Sequence, residues 1–577
     1  MIKNEILKNL KESLVKSETS LKILKQVQYD KFIDLQSPAN ADFGDYSTSV
    51  ALRLAKLLKK NPMIIAEEIK KNFPKTDFIE QIEIIKPGFI NFWVNSNYFL
   101  DYARKVSEEK FEFPSYYLGK NKKVMVEFAH PNTHKLFHIG HLRNISTGEA
   151  MVRILEAVGN KVVRSNYQGD IGLHIAKCIY GIKNSKVKSQ NLKTLKEKTE
   201  FIGKMYTKGT KAYEEDSKAK EEIIKINQMI YDQDPEILPL WQKTKQWSLE
   251  YFDKVYKRVD SHFDRLYLES EITKRGSEIS QEIFEKGILE KSQGAIVFNG
   301  KKYGLDIRVF VNSLGFPTYE GKELGLAEKE FSEFGELDKN IHVVTPEQTS
   351  FFKVTFKVEE LIDEKKYKNK QFHLVYEWVR LKESKMSSRE GNVIEADWLI
   401  DKIKEKIIKQ FNCNNKTAEI LGVASVKYSF LKNSTQTVIA FDIDESIAVD
   451  GNSAPYLIYT YVRCQSVLRK TNDVTLRKAQ GDRSIMVSST NHDELNLLRK
   501  FYQFPEVVLK TAENYSPNFI ATYIYGLASQ FNLFYQKNPI LKSEKETKEL
   551  RLLITLTTAK IIKKGLELLG IKTVEKM

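Results

Sequence analysis

The 577-residue chain has few cysteines and no long hydrophobic run. The cysteines are far apart and never form a C-x-x-C pair, which excludes a disulfide framework and a thiolate zinc site; they are Cys178, Cys413 and Cys464. No run of about 18 apolar residues occurs, and the N-terminal segment lacks the apolar core of a signal peptide. These absences predict a cytoplasmic protein with no membrane segment.

Charged residues of both signs are plentiful, with an excess of positive charge. Lys and Arg number 91 and Asp and Glu number 76, which gives a formal net charge of +15. Hydrophobic residues make up 41% and charged residues 29%, proportions that are typical of a folded chain. The positive excess favours a polyanionic partner such as nucleic acid, or else it reflects a lysine-rich proteome. Composition leaves both explanations open.

The length predicts several domains, because single hydrophobic cores stop growing beyond roughly 250–300 residues. Residues 1–117 are predicted to form a small α+β domain. Helical periodicity occupies residues 2–24 and 47–72 of this domain, and two strands are indicated within residues 82–94. At the other end of the chain, residues 451–577 are predicted to form a helical bundle.

Residues 118–450 are predicted to form an α/β domain with a doubly wound, parallel, Rossmann-like sheet. A strand at residues 123–128, a helix at 140–158 and a strand at 161–166 make one βαβ unit. A long, charged, helical segment at about 175–260 has the character of an insertion. Strand-like runs follow it and are expected to continue the same sheet, at residues 295–298, 306–311, 342–345 and 372–381.

Four of the nine histidines fall within a short segment directly after the first strand of this unit: His130, His134, His138 and His141. Spacings of three and four residues would bring imidazoles together on one helical face, so a metal site is one interpretation. Pro131 and the lack of an acidic partner argue against it. A structural role, in which the histidines cap a loop, is a second interpretation.

Phosphate binding is the interpretation that we favour for this segment. The pattern His-x-Gly-His, from His138 to His141, follows a strand and opens a helix. Backbone N–H groups and the positive end of the helix attract anions at such a place. Gly140 leaves room for a planar base against the backbone. Both histidines can donate hydrogen bonds to triphosphate oxygens and stabilise charge at a five-coordinate phosphorus.

A second candidate element lies far downstream and combines cations with small hydroxyl residues: Lys385, Met386, Ser387, Ser388 and Arg389. This composition suits a mobile loop that closes over pyrophosphate. Taken alone, the element also fits an ordinary solvated basic loop. Because this element occurs together with the histidine segment, we favour phosphate binding as its role.

The two elements together resemble the HIGH and KMSKS signatures of class I aminoacyl-tRNA synthetases. The sequence FAHPNTHKLFHIGHLRN at residues 128–144 is similar to the arginyl-tRNA synthetase family in particular. Further matches in the same order are NYQGDIG at 166–172, PTY at 317–319 and TPEQ at 345–348. Residues 451–470 and 565–577 resemble that family's helical anticodon-binding domain, so the resemblance covers essentially the whole chain.

The resemblance implies that arginine is activated by ATP, with Mg²⁺, to arginyl-adenylate and is then transferred to the 3′ end of tRNA(Arg). His138, Gly140 and His141 match the ATP-binding signature, and the downstream loop from Lys385 to Arg389 would contact pyrophosphate. The implied catalytic residues are His138, His141, Lys135 and Lys385. Ser388 takes the place of a second lysine in the class I loop, and Lys135 matches a lysine that is thought to substitute for it in this family.

The substrate guanidinium group calls for a planar, acidic site, because bidentate carboxylate pairing distinguishes Arg from Lys. The residues that match the family's arginine-binding positions are Glu127, His130, Asn132, Tyr319, Glu323 and Gln348. Two of them depart from the family pattern. Glu323 stands where an aspartate is usual, so its extra methylene would push the carboxylate deeper into the pocket. His130 stands where a small hydroxyl residue is commoner.

Contacts with tRNA are expected at both ends of the chain. The N-terminal domain resembles the one with which this family contacts the tRNA elbow, and Phe89 and Asn91 match the segment that meets the D-loop. In the C-terminal bundle, Arg463 and Arg469 are basic candidates for tRNA contacts, although each also fits an ordinary solvated helix position. The overall prediction is a monomeric, cytoplasmic enzyme with no tightly bound metal.

Two other functions remain open at this stage. A nucleotidyltransferase or ligase acting on a small molecule could use His-x-Gly-His on the same kind of sheet, but it would not need the terminal domains. A catalytically silent paralogue could bind RNA only. The intact set His138, His141, Lys135 and Lys385 argues against the silent paralogue, while the departures at His130 and Glu323 leave room for it.

Overall fold

The computed structural model describes residues 2–16, 32–38, 40–111, 121–187, 191–382, 394–471 and 490–577. In chain order the helices are α1 (Ile2–Lys16), α2 (Val50–Leu58), α3 (Pro62–Asn72), α4 (Ser96–Ser107), α5 (Ile139–Ala157), α6 (Leu173–Lys183), α7 (Leu195–Glu215), α8 (Ser217–Tyr231), α9 (Leu238–Arg258), α10 (Glu269–Glu285), α11 (Tyr319–Glu333), α12 (Thr349–Ile362), α13 (Glu364–Tyr367), α14 (Ala396–Phe411), α15 (Asn415–Leu431), α16 (Ile443–Ser446), α17 (Ala454–Arg469), α18 (His492–Tyr502), α19 (Phe504–Asn514), α20 (Asn518–Lys537) and α21 (Lys545–Leu568).

The strands are β1 (Tyr46–Thr48), β2 (Ile79–Ile85), β3 (Phe89–Val94), β4 (Lys123–Glu127), β5 (Lys161–Gln168), β6 (Arg265–Leu268), β7 (Glu290–Ser292), β8 (Ala295–Asn299), β9 (Ile307–Val311), β10 (Lys339–Val344), β11 (Gln371–Val375), β12 (Val379–Leu381) and β13 (Ile439–Phe441). These elements form two compact units, each built from separate stretches of the chain. The first comprises Met1–Pro114, Arg463–Glu506 and Gly526–Ile562, and the second comprises Ser115–Val462, Val507–Tyr525 and Lys563–Met577.

The first unit contains a three-stranded antiparallel sheet in the order β1-β3-β2. The predicted helical stretch at residues 47–72 is two helices, because Asn61 caps the second one and a proline follows in its first turn; the Asn61 side chain accepts a hydrogen bond from the Met63 N–H. The ring of Tyr502 lies edge-on against Phe99, with centroids 5.4 Å apart, and this contact joins α18 to α4. The predicted extension of α1 to residue 24 lies outside the described residues.

The second unit is organised around a five-stranded parallel sheet in the order β11-β10-β4-β5-β6. The predicted βαβ unit is confirmed as β4, α5 and β5. Val124, Met125 and Val126 are all buried, as expected of a parallel strand that is covered on both faces. From β4 the chain order runs outward through β5 to β6, whereas β10 and β11 lie on the other side. The topological switch point is therefore between β4 and β10.

The strands predicted at residues 295–298 and 306–311 do not continue the parallel sheet, so that part of the prediction is wrong. With β7 they form a separate antiparallel sheet in the order β7-β8-β9. Gln293 and Gly294 make the turn between β7 and β8, and both have positive φ angles, 49° and 82°. A two-residue turn of this kind joins antiparallel neighbours, whereas a parallel pair needs a long crossover.

Two further parts of the second unit frame the parallel sheet. The run predicted at residues 372–381 divides into β11, which joins the parallel sheet, and β12, which pairs with β13. The segment at about 175–260 is helical, as predicted, and its helices pack around an apolar core that includes Ile179, Ile226 and Trp241. Among the helices described, none is long and apolar enough to cross a membrane.

Candidate functional site

The candidate residues gather at the carboxyl ends of the parallel strands, beside the switch point between β4 and β10. Ligands bind at this edge in open α/β sheets. Glu127 is the last residue of β4, and the histidine segment follows it as a loop. Asn144 of α5 ties this loop to the sheet: its Oδ1 accepts a hydrogen bond from the Ala129 N–H at 2.5 Å, and its Nδ2 donates to the Val343 carbonyl at 2.7 Å.

His138 and His141 cap the N-terminus of α5 in a reciprocal arrangement. The His138 Nδ1 accepts a hydrogen bond from the Gly140 N–H, and the His141 Nδ1 accepts one from the His138 N–H, each at 3.1 Å. A neutral imidazole whose Nδ1 accepts a hydrogen bond carries its proton on Nε2. Each ring therefore offers an Nε2–H donor at the positive end of a helix.

Burial keeps both imidazoles neutral. It lowers the pKa of His138 to about 4 and the pKa of His141 well below its usual value. The Lys135 ammonium contributes to both pKa shifts, so it lies close to the two rings. The half-buried Lys135 also lies over the ring of Tyr206, 5.2 Å from the centroid. The start of α5 thus combines two neutral donors with one cation, a set that suits an anion.

The His138 ring packs against the backbone of Gly140, so this position favours a residue without a side chain. A Cβ atom added at Gly140 would lie 2.9 Å from the His138 Cε1, closer than real Cβ atoms approach. The space beside Gly140, where a planar base was expected, is therefore bordered by the His138 imidazole ring.

His134 has the structural role that one interpretation gave to the histidine segment. Its ring is completely buried, with Nδ1 3.0 Å from the Thr133 Oγ1 and Nε2 2.8 Å from the Thr244 Oγ1. Both ring nitrogens are engaged by hydroxyl groups. Within the ranges that the structure describes, no group of three or more His, Cys, Asp or Glu side chains is placed to hold a metal ion.

The predicted closing loop from Lys385 to Arg389 lies outside the described residues, but the residues on both sides of it contact α5. After the loop, the Ile394 carbonyl accepts a hydrogen bond from the Ile139 N–H at 2.9 Å. Before the loop, the Trp378 carbonyl accepts one from the Arg143 guanidinium group at 2.8 Å. The helix that carries the two histidines is therefore bonded to both flanks of the loop.

Glu127 and Glu323 form the buried, acidic part of the candidate arginine site. Both side chains are almost completely buried. Burial raises the pKa of Glu127 to about 7 and the pKa of Glu323 to about 8, and the Glu127 charge adds to the second shift. The Glu323 Oε1 is buried without a hydrogen-bond partner. His130 adjoins them, with its Nδ1 3.8 Å from the Glu127 Oε1.

The other three candidates for arginine binding are more exposed. Asn132 is partly buried and pairs with Gly169 through a β-bridge, whereas Gln348 is exposed and Tyr319 is 67% exposed. The Lys322 ammonium lies 5.6 Å from the Tyr319 ring centroid and forms a buried ion pair with Glu269. The structure thus divides the six candidates into two buried carboxyl groups with the partly buried His130 beside them, and an outer polar group.

Tyr167 is a residue that the sequence analysis did not single out. Burial and the charges of Glu269, Glu323 and Glu127 raise its pKa well above the usual value, so it lies among these carboxyl groups. Its hydroxyl group is buried without a hydrogen-bond partner. The family match NYQGDIG contains Tyr167 and could have identified it. No local pattern marks Arg143 or His342, whose partners lie far away in the sequence.

The candidates for tRNA contacts lie in the first unit. Phe89 is 39% exposed, whereas Asn91 is buried and its Oδ1 accepts a hydrogen bond from the Ser47 hydroxyl at 2.6 Å. The Arg463 guanidinium group donates to the Asn532 Oδ1 and lies 5.3 Å from the ring centroid of Tyr535. Arg469 is exposed near the end of α17.

Three family models match consecutive parts of the chain. The model described as the N-terminal domain of arginyl tRNA synthetase matches residues 2–94. The model for the catalytic domain of class I tRNA synthetases (R) matches residues 107–443, more than half of the chain. The model for the DALR anticodon binding domain matches residues 457–577.

The similar proteins are arginine–tRNA ligases, and the similar solved structures are arginyl-tRNA synthetases. The arginine–tRNA ligase of Fusobacterium nucleatum is 32% identical over 557 residues, which cover 95% of this chain and 96% of the relative. That of Borrelia hermsii is 32% identical over 592 residues and covers all of both chains. The solved arginyl-tRNA synthetase of Thermus thermophilus is 22% identical, with a TM-score of 0.83 and complete coverage of both chains. The Plasmodium falciparum structure, 23% identical, has the same TM-score and covers 100% of this chain and 99% of its own.

Proposed function

The chain belongs to the arginyl-tRNA synthetase family, and from this premise we propose which of its residues carry out the reaction. It is a class I arginine–tRNA ligase, which uses ATP to activate arginine and then charges tRNA. The observation that carries the residue assignment is the pair of neutral imidazoles, His138 and His141, at the start of α5. Their Nε2–H groups are the donors for ATP phosphate oxygens.

In the first step the arginine carboxylate attacks the α-phosphorus of ATP. A carboxyl O–P bond forms, the bond to the β-phosphate oxygen breaks, and pyrophosphate leaves. The nucleophile is already ionised, so the step needs no protein base, and the protein contributes positioning and charge neutralisation. His138 and His141 donate to the phosphate oxygens, Lys135 supplies positive charge, and Gly140 borders the nucleoside.

The closing loop completes the phosphate site in our proposal. Lys385 neutralises the departing pyrophosphate, and the rest of the loop adds backbone and hydroxyl donors: Met386, Ser387, Ser388 and Arg389. Support comes from the hydrogen bonds that join both flanks of the loop to α5, the helix of the two histidines.

Arginine lies with its guanidinium group towards Glu127 and Glu323. A guanidinium group is always charged and pairs with carboxylates through two parallel hydrogen bonds. The unpartnered Glu323 Oε1 and the absence of a Lys or Arg partner for either carboxyl group among the described residues support this placement. The residues that complete the site are His130, Asn132, Tyr319 and Gln348.

In the second step a hydroxyl group of the 3′-terminal adenosine of tRNA(Arg) attacks the arginyl-adenylate carbonyl, and AMP leaves. Residues 1–117 contact the tRNA elbow, where the exposed Phe89 can stack on an unstacked base, and the buried Asn91 supports the same strand through its hydrogen bond with Ser47. Residues 451–577 contact the anticodon region, with Arg463 and Arg469 as basic contacts. Both chemical steps take place in the domain formed by residues 118–450.

We propose a cytoplasmic monomer that takes ATP as its Mg²⁺ complex. The groups at the start of α5 are imidazole donors and an ammonium group, which are poor ligands for Mg²⁺ because this ion prefers oxygen. The ion would be held by phosphate oxygens of ATP and would neutralise part of their charge, while His138, His141 and Lys135 would bind phosphate oxygens.

Replacing His141 by Asn or Gln tests the role of the Nε2–H donor. Asn keeps an acceptor near the Nδ1 position for the His138 N–H, and Gln keeps an amide N–H near the Nε2 position. We expect His141→Asn to lower kcat/KM for arginine-dependent ATP–pyrophosphate exchange about 100-fold or more, because one preformed donor is lost. His141→Gln should retain more of the activity.

The exchange assay should contain tRNA(Arg), and thermal unfolding should accompany it. An Asn variant that unfolds like the wild type and keeps full exchange activity would contradict the donor role. A larger loss in His141→Gln than in His141→Asn would assign His141 to capping the helix rather than to phosphate binding.

A further inference from the structure

A chain of hydrogen bonds runs from the buried Glu127 and His342 through the partly exposed Gln371 to the buried Glu359. The His342 Nδ1 lies 3.0 Å from the Glu127 Oε1, and its Nε2 lies 3.0 Å from the Gln371 Oε1. The Gln371 Nε2 donates to the Glu359 Oε2 at 2.7 Å. His342 is completely buried on β10, and the sequence analysis gave it no role.

The partners fix the positions of the protons on His342. The Gln371 amide nitrogen faces the Glu359 carboxyl group, and in this orientation the amide oxygen faces the His342 ring and accepts from Nε2–H. On the other side, the His342 Nδ1 faces a carboxyl oxygen of Glu127. A hydrogen bond between these two atoms requires one proton, carried by the carboxyl group or by the ring.

The surroundings of this pair are acidic and enclosed. Four carboxyl groups are almost completely buried, namely Glu127, Glu323, Glu330 and Glu359. Burial raises the pKa of every one of them. In the described part of the chain none of the four forms an ion pair with Lys or Arg. The other titratable or charged groups that face the cluster are His130, His373, Tyr167, Glu320 and Lys366.

We propose that His342 is a positioning residue for arginine and accepts the Glu127 proton when the guanidinium group arrives. The O–H bond at the Glu127 Oε1 breaks and an N–H bond forms at the His342 Nδ1, so the net charge of the pair is unchanged. Glu127 then faces the ligand as a carboxylate, and its proton does not have to leave for the solvent. This inference rests on the proposed role of Glu127 in arginine binding.

The proposal predicts how many protons are released when arginine binds. In the wild type, proton transfer inside the pair should keep the Glu127 proton in the protein around neutral pH, so that the proton released is that of Glu323, whose pKa is raised to about 8. Without a basic nitrogen at residue 342, Glu127 can ionise only by losing its proton to solvent. Its pKa is raised to about 7 by burial, so its carboxylate form is lost as the pH falls through this range. Arginine affinity should then fall steeply on acidification.

Isothermal titration calorimetry of arginine binding measures this directly, in two buffers with different ionisation enthalpies. His342→Phe retains a ring that can pack against Phe352 and Phe356, whose centroids lie 5.0 and 5.4 Å from the His342 ring. His342→Asn retains an N–H donor for Glu127 but no basic nitrogen. We expect both variants to release more protons per arginine than the wild type, by up to one, because the Glu127 proton then also leaves for the solvent. We also expect about tenfold weaker binding by His342→Phe at neutral pH and a smaller loss for His342→Asn, because the latter keeps one hydrogen bond.

Glu127→Gln separates a failure of this inference from a failure of the proposed arginine site. The substitution should weaken arginine binding at least tenfold, and unchanged binding would refute the arginine site itself. If Glu127→Gln weakens binding while the wild type and the His342 variants release the same number of protons per arginine, only the role of His342 is refuted. A variant that merely packs badly should weaken binding equally at every pH and leave the proton count at the wild-type value, which would also refute the proposal.

Discussion

Arg143 offers the sharpest test of how α5 holds the segment that leads into the closing loop. Its side chain is buried, and its guanidinium group donates to three carbonyl groups, those of Trp378 at 2.8 Å, Thr437 at 2.8 Å and Thr435 at 3.2 Å. The ring of Tyr376 lies 5.8 Å away. Burial lowers the pKa of Arg143 to about 10, which leaves the group charged at neutral pH. One side chain therefore joins α5 to β12 and to the turn before β13.

The expected cost of Arg143→Met follows from these contacts. Each hydrogen bond from a charged donor contributes about 1.5–3 kcal/mol, and the contributions do not simply add. Methionine fills the space of the apolar stem but leaves three buried carbonyl groups without their donor. We expect the free energy of unfolding to fall by about 3–5 kcal/mol, because each buried carbonyl group left without its donor costs about 1–3 kcal/mol and these costs do not simply add. Arg143→Lys should cost less, because the ammonium group keeps the charge and satisfies part of the set.

Urea unfolding and arginine-dependent ATP–pyrophosphate exchange measure the two consequences. Because the Trp378 carbonyl lies just before the closing loop, the surviving folded Arg143→Met protein should lose kcat while its arginine KM changes less. A free energy of unfolding within about 1 kcal/mol of the wild type would refute the energetic reasoning. A normal kcat in a destabilised variant would show that Arg143 supports the fold without affecting the loop.

Two other substitutions test the packing of α5 and the acidic site. In Gly148→Ala the added Cβ would lie only 2.2 Å from the Phe128 Cγ, so overpacking should cost about 1–3 kcal/mol or more in urea unfolding. Gly203→Ala is the matched control, since its Cβ would meet only the Leu136 Cδ1 at 3.7 Å and should be neutral or stabilising; equal stabilities of the two variants would contradict the close contact. Glu323→Gln should raise the arginine KM by the equivalent of about 2 kcal/mol or more, because a buried carboxylate partner is lost, and an unchanged KM would exclude Glu323 from the site.

Local patterns predicted the helices and strands well where neighbours in sequence decide the structure. The strand that ends at Glu127, the helix that begins after His138 and the strand at residues 161–168 follow the predicted order closely. Local patterns could not predict which strands pair with each other. Residues 295–298 have the composition of a buried strand, but the Gln293-Gly294 turn commits them to an antiparallel hairpin.

In the site, too, features set by neighbours in the sequence could be predicted, whereas contacts between distant residues could not. His138 and His141 stand three residues apart, so their spacing predicted that they act together. That both Nδ1 atoms are engaged by backbone N–H groups, which places the protons on Nε2, became evident only from the structure. The partners of His342 and Arg143 lie as far as 215 and 294 residues away, so no pattern in the sequence could reveal them.

The buried carboxyl groups show how substrate specificity and stability oppose each other in this fold. The pKa of Glu323 is raised to about 8 in the folded protein by burial, above the value of an exposed glutamate. A folded-state pKa that is raised in this way favours folding fully at low pH, and that contribution is lost as the pH rises towards 8. At neutral pH the acidic cluster therefore weakens the protein without its ligand. A bound guanidinium group supplies the missing positive charge, so arginine binding and folding favour each other at the same residues.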